Sequence, residues 1–297
     1  MKTIKRKPEW LKIRLATNES YQEVADLLKE KRLTTVCRSA HCPNTNECWG
    51  RGTATFMILG SVCTRGCKFC AIATGKPDPV DFDEPRRIAD ASLQMNLKWI
   101  VLTSVDRDDL SDGGAGHFAN VVRALRDKLP VAGIEALVPD FLKKPGAVDI
   151  ICKDPPDILN HNIETVPRLY RTVRPGADYR HSMNLIREFS KRGLVTKSGL
   201  MVGVGESLDE VRQVIEDLHN AGCQSLTIGQ YLAPSNCHLK VERYVHPDEF
   251  DELSSYAYSI GFMHVASGPL VRSSYKAEEA VKVYNLLTKG IMDIPAK

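Results

Sequence analysis

Short apolar runs alternate with helical patterns over most of the chain. Runs of strand length lie at 54–59, 99–103, 133–138, 157–160, 196–202 and 225–231, with a shorter candidate at 264–266. Between them, 85–95, 116–128, 183–192 and 208–221 repeat at helical spacing. Ser207 with Glu210 forms a capping-box signal at the start of the last of these. Strands that alternate with helices build a parallel sheet, and right-handed crossovers curl such a sheet into a full or partial barrel. The predicted fold class is therefore α/β, a partial (β/α)6 TIM-like barrel. Near the N-terminus, Val24, Leu27 and Leu28 recur on one face, which predicts a helix within 21–33. The stretch 37–53 is rich in Cys, Pro, Asn and Gly, has no period, and reads as a loop.

In such a barrel, chemistry sits at the C-terminal strand ends. The informative residues do fall there: Cys63 after the first strand, Thr103 to Arg107 at the second, Asn162 and Glu164 after the fourth, and Gly203 to Glu206 after the fifth. Composition narrows the function classes. The net charge is +3, from 40 basic and 37 acidic residues, which argues against a dedicated nucleic-acid binder. No apolar run has the length of a membrane span, and the basic N-terminus is followed by no apolar stretch. A soluble, cytoplasmic protein is expected. A chain of 297 residues, 43% hydrophobic, can bury one large core without a second domain.

The nine cysteines need a reason. In a cytosolic enzyme, clustered cysteines bind metal or do redox work more often than they form disulfides. Cys152, Cys223 and Cys237 are scattered, as small buried hydrophobes would be. Cys63, Cys67 and Cys70 form a C-x3-C-x2-C run. Three thiolates this close can hold three corners of a cubic cluster, leaving one iron open to a ligand that is not a cysteine. Zinc competes, but structural zinc sites pair C-x2-4-C units and close with four ligands. Unligated, these would be reactive loop thiols. A second triplet, Cys37, Cys42 and Cys48, is too widely spaced for a zinc knuckle, yet its loop is short enough to converge on one cluster. His41 lies inside that loop, where a lone His more often makes hydrogen bonds than ligates.

The first triplet, with Phe69 before its last cysteine, resembles the radical S-adenosylmethionine superfamily. There the open iron is chelated by S-adenosylmethionine, and an electron from the reduced cluster yields a 5′-deoxyadenosyl radical. The two triplets together are similar to those of the lipoyl synthase family. The likeness runs through 51–70 (RGTATFMILGSVCTRGCKFC), 103–116 (TSVDRDDLSDGGAG), 157–165 (DILNHNIET), 228–232 (IGQYL), 246–250 (HPDEF) and 268–275 (GPLVRSSY), roughly residues 8 to 276. It implies two [4Fe–4S] clusters, with the auxiliary one held by Cys37, Cys42, Cys48 and Ser274. It implies that this auxiliary cluster is the sulfur source for C6 and C8 of an octanoyl chain on a carrier lysine, with two S-adenosylmethionine molecules consumed per lipoyl group. Implied partners are octanoylated carrier domains (2-oxoacid dehydrogenase E2 subunits, glycine cleavage H protein), an electron donor such as ferredoxin or flavodoxin, and an Fe–S cluster carrier. Three parts are expected: an extension at 1–53, the barrel at 54–267 and a closing segment at 268–297.

The superfamily resemblance implies that Asn162 and Glu164 contact the adenosyl ribose and that Gly203 and Gly205, otherwise a strand–helix turn, face the adenine; Thr103 could meet the methionine amino group or the substrate or sit in a solvated charged loop, and Arg174 could pair with the methionine carboxylate or be a surface residue. An Arg174 fork would match a carboxylate. The glycine-rich 112–116 could let backbone approach a ligand or simply turn. The competing functions are another radical enzyme with an auxiliary cluster, such as a methylthiotransferase, for whose extra domains this chain lacks room, and a non-catalytic Fe–S carrier, which gains nothing from an open iron.

Overall fold

The computed structural model describes residues 7–12, 19–40, 42–50, 55–275 and 277. The chain opens with helix α1 (Glu19–Glu30) and two short helices, α2 (Val36–Ser39) and α3 (Thr45–Gly50). Then come β1 (Thr55–Ile58), a two-stranded ribbon of β2 (Val62–Cys63) and β3 (Ala73–Thr74), α4 (Glu84–Gln94), β4 (Trp99–Ser104), α5 (Ala115–Lys128), β5 (Gly133–Leu137), α6 (Ala147–Lys153) and β6 (Ile158–Asn160). The second half runs α7 (Tyr170–Val173), α8 (Tyr179–Lys191), β7 (Val195–Val202), α9 (Leu208–Asn220), β8 (Ser225–Gln230), α10 (Pro247–Ser259) and β9 (His264–Gly268).

The main sheet has seven parallel strands in the order β1-β4-β5-β6-β7-β8-β9. Six strand–helix units are followed by a seventh strand, so the short 264–266 candidate is a full member. Among the described residues β1 and β9 are not paired, which leaves the barrel open on one side. The strands are buried on both faces, which is why they read as apolar runs instead of alternating. Register brings Ser104, Leu137, Asn160 and Gln230 to one rim. Helix α9 starts as its sequence signals: the Glu210 amide donates to the Ser207 hydroxyl and the Ser207 amide to the Glu210 carboxylate.

The stretch read as a loop is not plain loop. The Thr45 hydroxyl donates to the Cys42 carbonyl at 2.8 Å and lies 3.0 Å from the Cys37 carbonyl, which ties α3 back onto α2. Helices of four and six residues are too short to show a period. Just ahead of α2, Thr35 bridges antiparallel to Phe56, and the Met57 amide donates to the Thr34 carbonyl at 2.8 Å. The N-terminal segment therefore covers the free edge of β1. Trp49, Leu28 and Val24 sink into the same apolar cluster as Phe56 and Ile58. His41, residues 51–54 and the last dozen residues lie outside the described part.

Candidate cluster and cofactor site

The run Cys63 to Cys70 crosses the open rim, tied down from several sides. The Gly75 amide donates to the Cys63 carbonyl at 3.0 Å, the Thr64 amide to Asp106 at 3.1 Å, and the Lys68 amide to Val173 at 2.9 Å. The Leu239 amide donates to the Lys68 carbonyl at 2.9 Å, and His238 Nε2 to the Cys70 carbonyl at 3.1 Å. Two amides, of Arg65 and Asp106, point at the Cys63 sulfur at 3.4 and 3.3 Å. Among the described residues none of the six cysteines of the two triplets is in a disulfide. Burial pushes Cys63, Cys67 and Cys70 up to about 11, and each also feels another thiol of the triplet. Three thiols whose thiolates would repel one another suit a positively charged partner that takes them as thiolates. Among the described residues no three His, Cys, Asp or Glu side chains are drawn together for a single ion. A cuboidal cluster takes its thiolates at separate corners and does not ask for that spacing.

The second triplet sits beside the far end of the chain. Burial raises both the Cys37 and the Cys42 thiols; the neighbouring Cys42 adds to the first, while Arg272 partly offsets the second. The Asn44 side-chain amide donates to the Leu270 carbonyl at 2.8 Å, and the Tyr275 hydroxyl reaches Glu47 at 3.1 Å. The strand end of β8 makes room for this segment. A Cβ on Gly229 would stand 2.2 Å from the Val271 carbonyl oxygen, so glycine is required there. The segment 268–275 thus bends over the rim and meets the N-terminal loop across the open side.

Between the triplets lies a cavity of ≈ 520 Å³. Cys63, Cys67 and Cys70 open on it, as do Cys42, Ser273 and Ser274. So do Thr103, Asn162, Glu164 and Arg174. Asn162 donates to Glu164 at 3.1 Å and to the Ser273 hydroxyl at 2.6 Å, and its side-chain oxygen has no partner among the described residues. Arg174 donates from Nη1 to the Asn162 carbonyl at 3.0 Å and stacks 5.7 Å from the Tyr170 ring centre, and its Nε has no partner among the described residues. Glu164 takes a left-handed backbone (φ 67°) between its bonds to Gly199 and Met201, and burial raises its carboxyl. A buried cation, a carboxyl and an open amide oxygen side by side fit a ligand that carries both an ammonium and a carboxylate.

Gly203 and Gly205 stand apart from this lining. Gly203 (φ 95°) packs under Gln230 and Arg243, where a Cβ would meet Gln230 Nε2 at 2.3 Å, and its amide donates to Glu206 at 2.6 Å. Gly205 (φ 112°) gives its carbonyl to Arg168 at 2.8 Å. Both serve the turn after β7. The glycine-rich loop is likewise filled by the protein itself: a Cβ on Gly114 would meet Leu59 Cδ1 at 2.5 Å, and one on Gly113 the Phe141 backbone at 3.1 Å. The charged run after β4 is also engaged, with Arg107 on Asp109 and the Leu59 carbonyl, and Asp106 and Asp108 turned toward Arg65. Sequence reasoning passed over Arg65, Arg272 and Asp140. The first two sit inside the motifs themselves, whereas nothing in the local sequence marks Asp140.

Residues 57–218 match the Radical SAM superfamily. A lipoyl synthase of Methylococcus capsulatus is 54% identical over 281 residues, 94% of this chain and 87% of that one. The chain belongs to the lipoyl synthase family. A second family member, from Chlorobium phaeovibrioides, is 55% identical over 92% of this chain and 96% of its own. Among solved structures, SuiB of Streptococcus suis bound to S-adenosylmethionine superposes with a TM-score of 0.55 at 11% identity, over 80% of this chain and 58% of that one. HydG, a maturase of the [FeFe]-hydrogenase, gives 0.55 at 12%, over 89% and 71%. These two likenesses show the fold. Family membership makes the chain a radical S-adenosylmethionine enzyme, a sulfurtransferase that works with a [4Fe–4S] cluster and S-adenosylmethionine. The thiols of the first triplet and the unpartnered atoms of Arg174 and Asn162 fit those two groups. No helix among the described residues is long and apolar enough to cross a membrane.

Proposed function

We propose that the chain converts a carrier-bound octanoyl-lysine to lipoyl-lysine by inserting sulfur at C6 and C8. In this reading Cys63, Cys67 and Cys70 hold the reducible cluster, and Cys37, Cys42, Cys48 and Ser274 hold an auxiliary one. Together the bound groups supply one-electron cleavage of S-adenosylmethionine, hydrogen-atom abstraction, and sulfur from the auxiliary cluster, with two S-adenosylmethionine molecules used per product. The observation that carries the reading is the shared cavity, on which the first triplet, Cys42 and Ser274 all open.

The chain's own part is binding and orientation. Arg174 and Glu164 would pair with the carboxylate and ammonium of S-adenosylmethionine, while Asn162 and Thr103 accept or donate at its polar edge. Gly203 and Gly205 would act only through the turn they shape. Apolar walls from Met57, Val138 and Leu200 exclude water from the space between the triplets. Residues 1–53 and 268–297 act as the two arms that hold the auxiliary cluster, around a barrel at 54–267. Substrates are octanoylated E2 domains or the glycine cleavage H protein, reduced ferredoxin or flavodoxin supplies electrons, a cluster carrier rebuilds the auxiliary site, and the setting is the cytoplasm.

The deciding experiment uses anaerobically reconstituted protein with octanoylated carrier peptide, S-adenosylmethionine and a reductant. Both 5′-deoxyadenosine and a doubly thiolated peptide are expected. Deoxyadenosine without thiolated peptide overturns the substrate assignment.

A further inference from the structure

Arg65 lies between Cys63 and Cys67, and its side chain is only 6% exposed. Nε and Nη2 donate to the two oxygens of Asp108 at 2.7 and 2.8 Å, a bidentate pair. Nη2 also donates to Asp140 at 2.6 Å, and Nη1 stands 3.7 Å from Asp106 with no hydrogen bond of its own among the described residues. The three carboxylates come from two strand ends: Asp106 and Asp108 follow β4, and Asp140 follows β5. Asp106 is also the residue whose amide and carboxylate stand 3.3 and 3.6 Å from the Cys63 sulfur.

Asp140 does a second job. The same carboxylate oxygen accepts the Leu142 amide at 2.9 Å, and the Asp140 carbonyl accepts from His181 Nε2 at 2.8 Å. These bonds brace Phe141, Leu142 and Lys143, three consecutive non-glycine residues with left-handed backbone (φ 53°, 48° and 57°). Such a run is disfavoured for L-residues and persists only where its surroundings impose it. Asp140 is therefore a fixed post, held by its own strained turn and by α8, against which the cysteine loop is pulled.

We propose that Arg65 is the positioning residue of the reducible cluster. Its clamp on Asp108 and Asp140 sets the geometry of the Cys63–Cys67 half of the loop, and its charge offsets the carboxylates beside Cys63. The inference rests on the reading that Cys63, Cys67 and Cys70 hold that cluster. Local charge and hydrogen bonding set the potential of an iron–sulfur centre. Each residue of the clamp therefore has a signed effect, which a merely structural role lacks. Removing the guanidinium leaves the carboxylates unopposed and shifts the midpoint potential down. Removing one carboxylate charge shifts it up.

The test takes Arg65→Gln, Arg65→Lys, Asp140→Asn and Cys67→Ala in the full chain, reconstituted anaerobically. Iron content, the paramagnetic resonance spectrum of the reduced cluster and its midpoint potential are read. Cys67→Ala should lose about half of the iron; if it keeps all of it, the underlying assignment of the triplet fails, whatever Arg65 does. Given that loss, Arg65→Gln should shift the potential down, Asp140→Asn should shift it up, and Arg65→Lys should fall between wild type and Arg65→Gln. Wild-type spectrum and potential in both Arg65→Gln and Asp140→Asn overturn the clamp, and so do shifts of the same sign. If Arg65→Gln does not fold, Asp140→Asn and Arg65→Lys decide by the same signs.

Discussion

Asn162 donates its side-chain amide to the Ser273 hydroxyl at 2.6 Å, tying the fourth strand of the barrel to a segment 111 residues further on. Ser273 is thereby turned toward the Asn162–Glu164–Arg174 group. Its neighbour Ser274 has no side-chain hydrogen bond among the described residues and opens on the same cavity. The two serines thus have different surroundings.

Their variants should separate accordingly. Ser274→Ala should still release 5′-deoxyadenosine but form no thiolated peptide. Ser273→Ala should keep both products and raise the S-adenosylmethionine KM roughly 2–10-fold, the worth of one hydrogen bond. Equal behaviour of the two variants in a product assay would contradict the assignment of Ser274.

Asn44→Ala removes a buried donor and leaves the Leu270 carbonyl without it. The expected loss is about 1–3 kcal/mol in denaturant unfolding of the cofactor-free protein. On reconstitution the iron lost should be that of the second triplet only, so deoxyadenosine formation survives.

Gly229→Ala puts a methyl group 2.2 Å from the Val271 carbonyl oxygen. The backbone of 270–272 must then move, and Ser274 with it. The variant should lose thiolated product while retaining S-adenosylmethionine cleavage, and its stability should fall by about 1–3 kcal/mol.

His161 gives a pH signature. It is buried, donates from Nδ1 to the Val138 carbonyl at 2.9 Å, and accepts from the Ser182 hydroxyl at 3.0 Å. Burial, with Arg174 nearby, pushes its pKa down from 6.5 to about 4. The folded state therefore favours the neutral ring. Its stabilisation is complete above pH 6.5 and is lost as pH falls toward 4, a total of ~3 kcal/mol. Unfolding of the cofactor-free protein by urea across that window should show the slope, and His161→Gln should flatten it.

Lys197 and Glu135 form an ion pair at 2.9 Å inside the barrel, both almost wholly buried, with Asn160 also donating to Glu135 at 2.9 Å. Lys197→Met strands a buried carboxylate and should cost about 3–5 kcal/mol in urea unfolding. The double variant with Glu135→Leu should regain most of that loss.

The barrel was legible because each buried parallel strand announces itself as an apolar run, and each helix between them shows a face. Helices α6 and α7 were not read, since seven and four residues hold too little of a period. Helix α10 carries its cap in a motif, with Glu249 facing back to His246, and its stripe of Phe250, Leu253 and Ala257 is thin. At the site, cysteine spacing pointed to two of the segments that border the cavity. Gly203 and the glycine-rich loop look the same in sequence whether they admit a ligand or a neighbouring side chain, and Gln230, Leu59 and Phe141 are what they admit. Asp140 stayed hidden because its importance lies in a contact with Arg65 across 75 residues.

The seam between Asn44 and Leu270 also bears on how the protein is made. The residues on its two sides are 226 positions apart. A ribosome must read through all of the barrel before the second triplet can meet the segment that carries Ser274. On the proposed reading, a chain terminated before Leu270 would carry Cys37, Cys42 and Cys48 without the segment that closes over them, while Cys63, Cys67 and Cys70 would already be made.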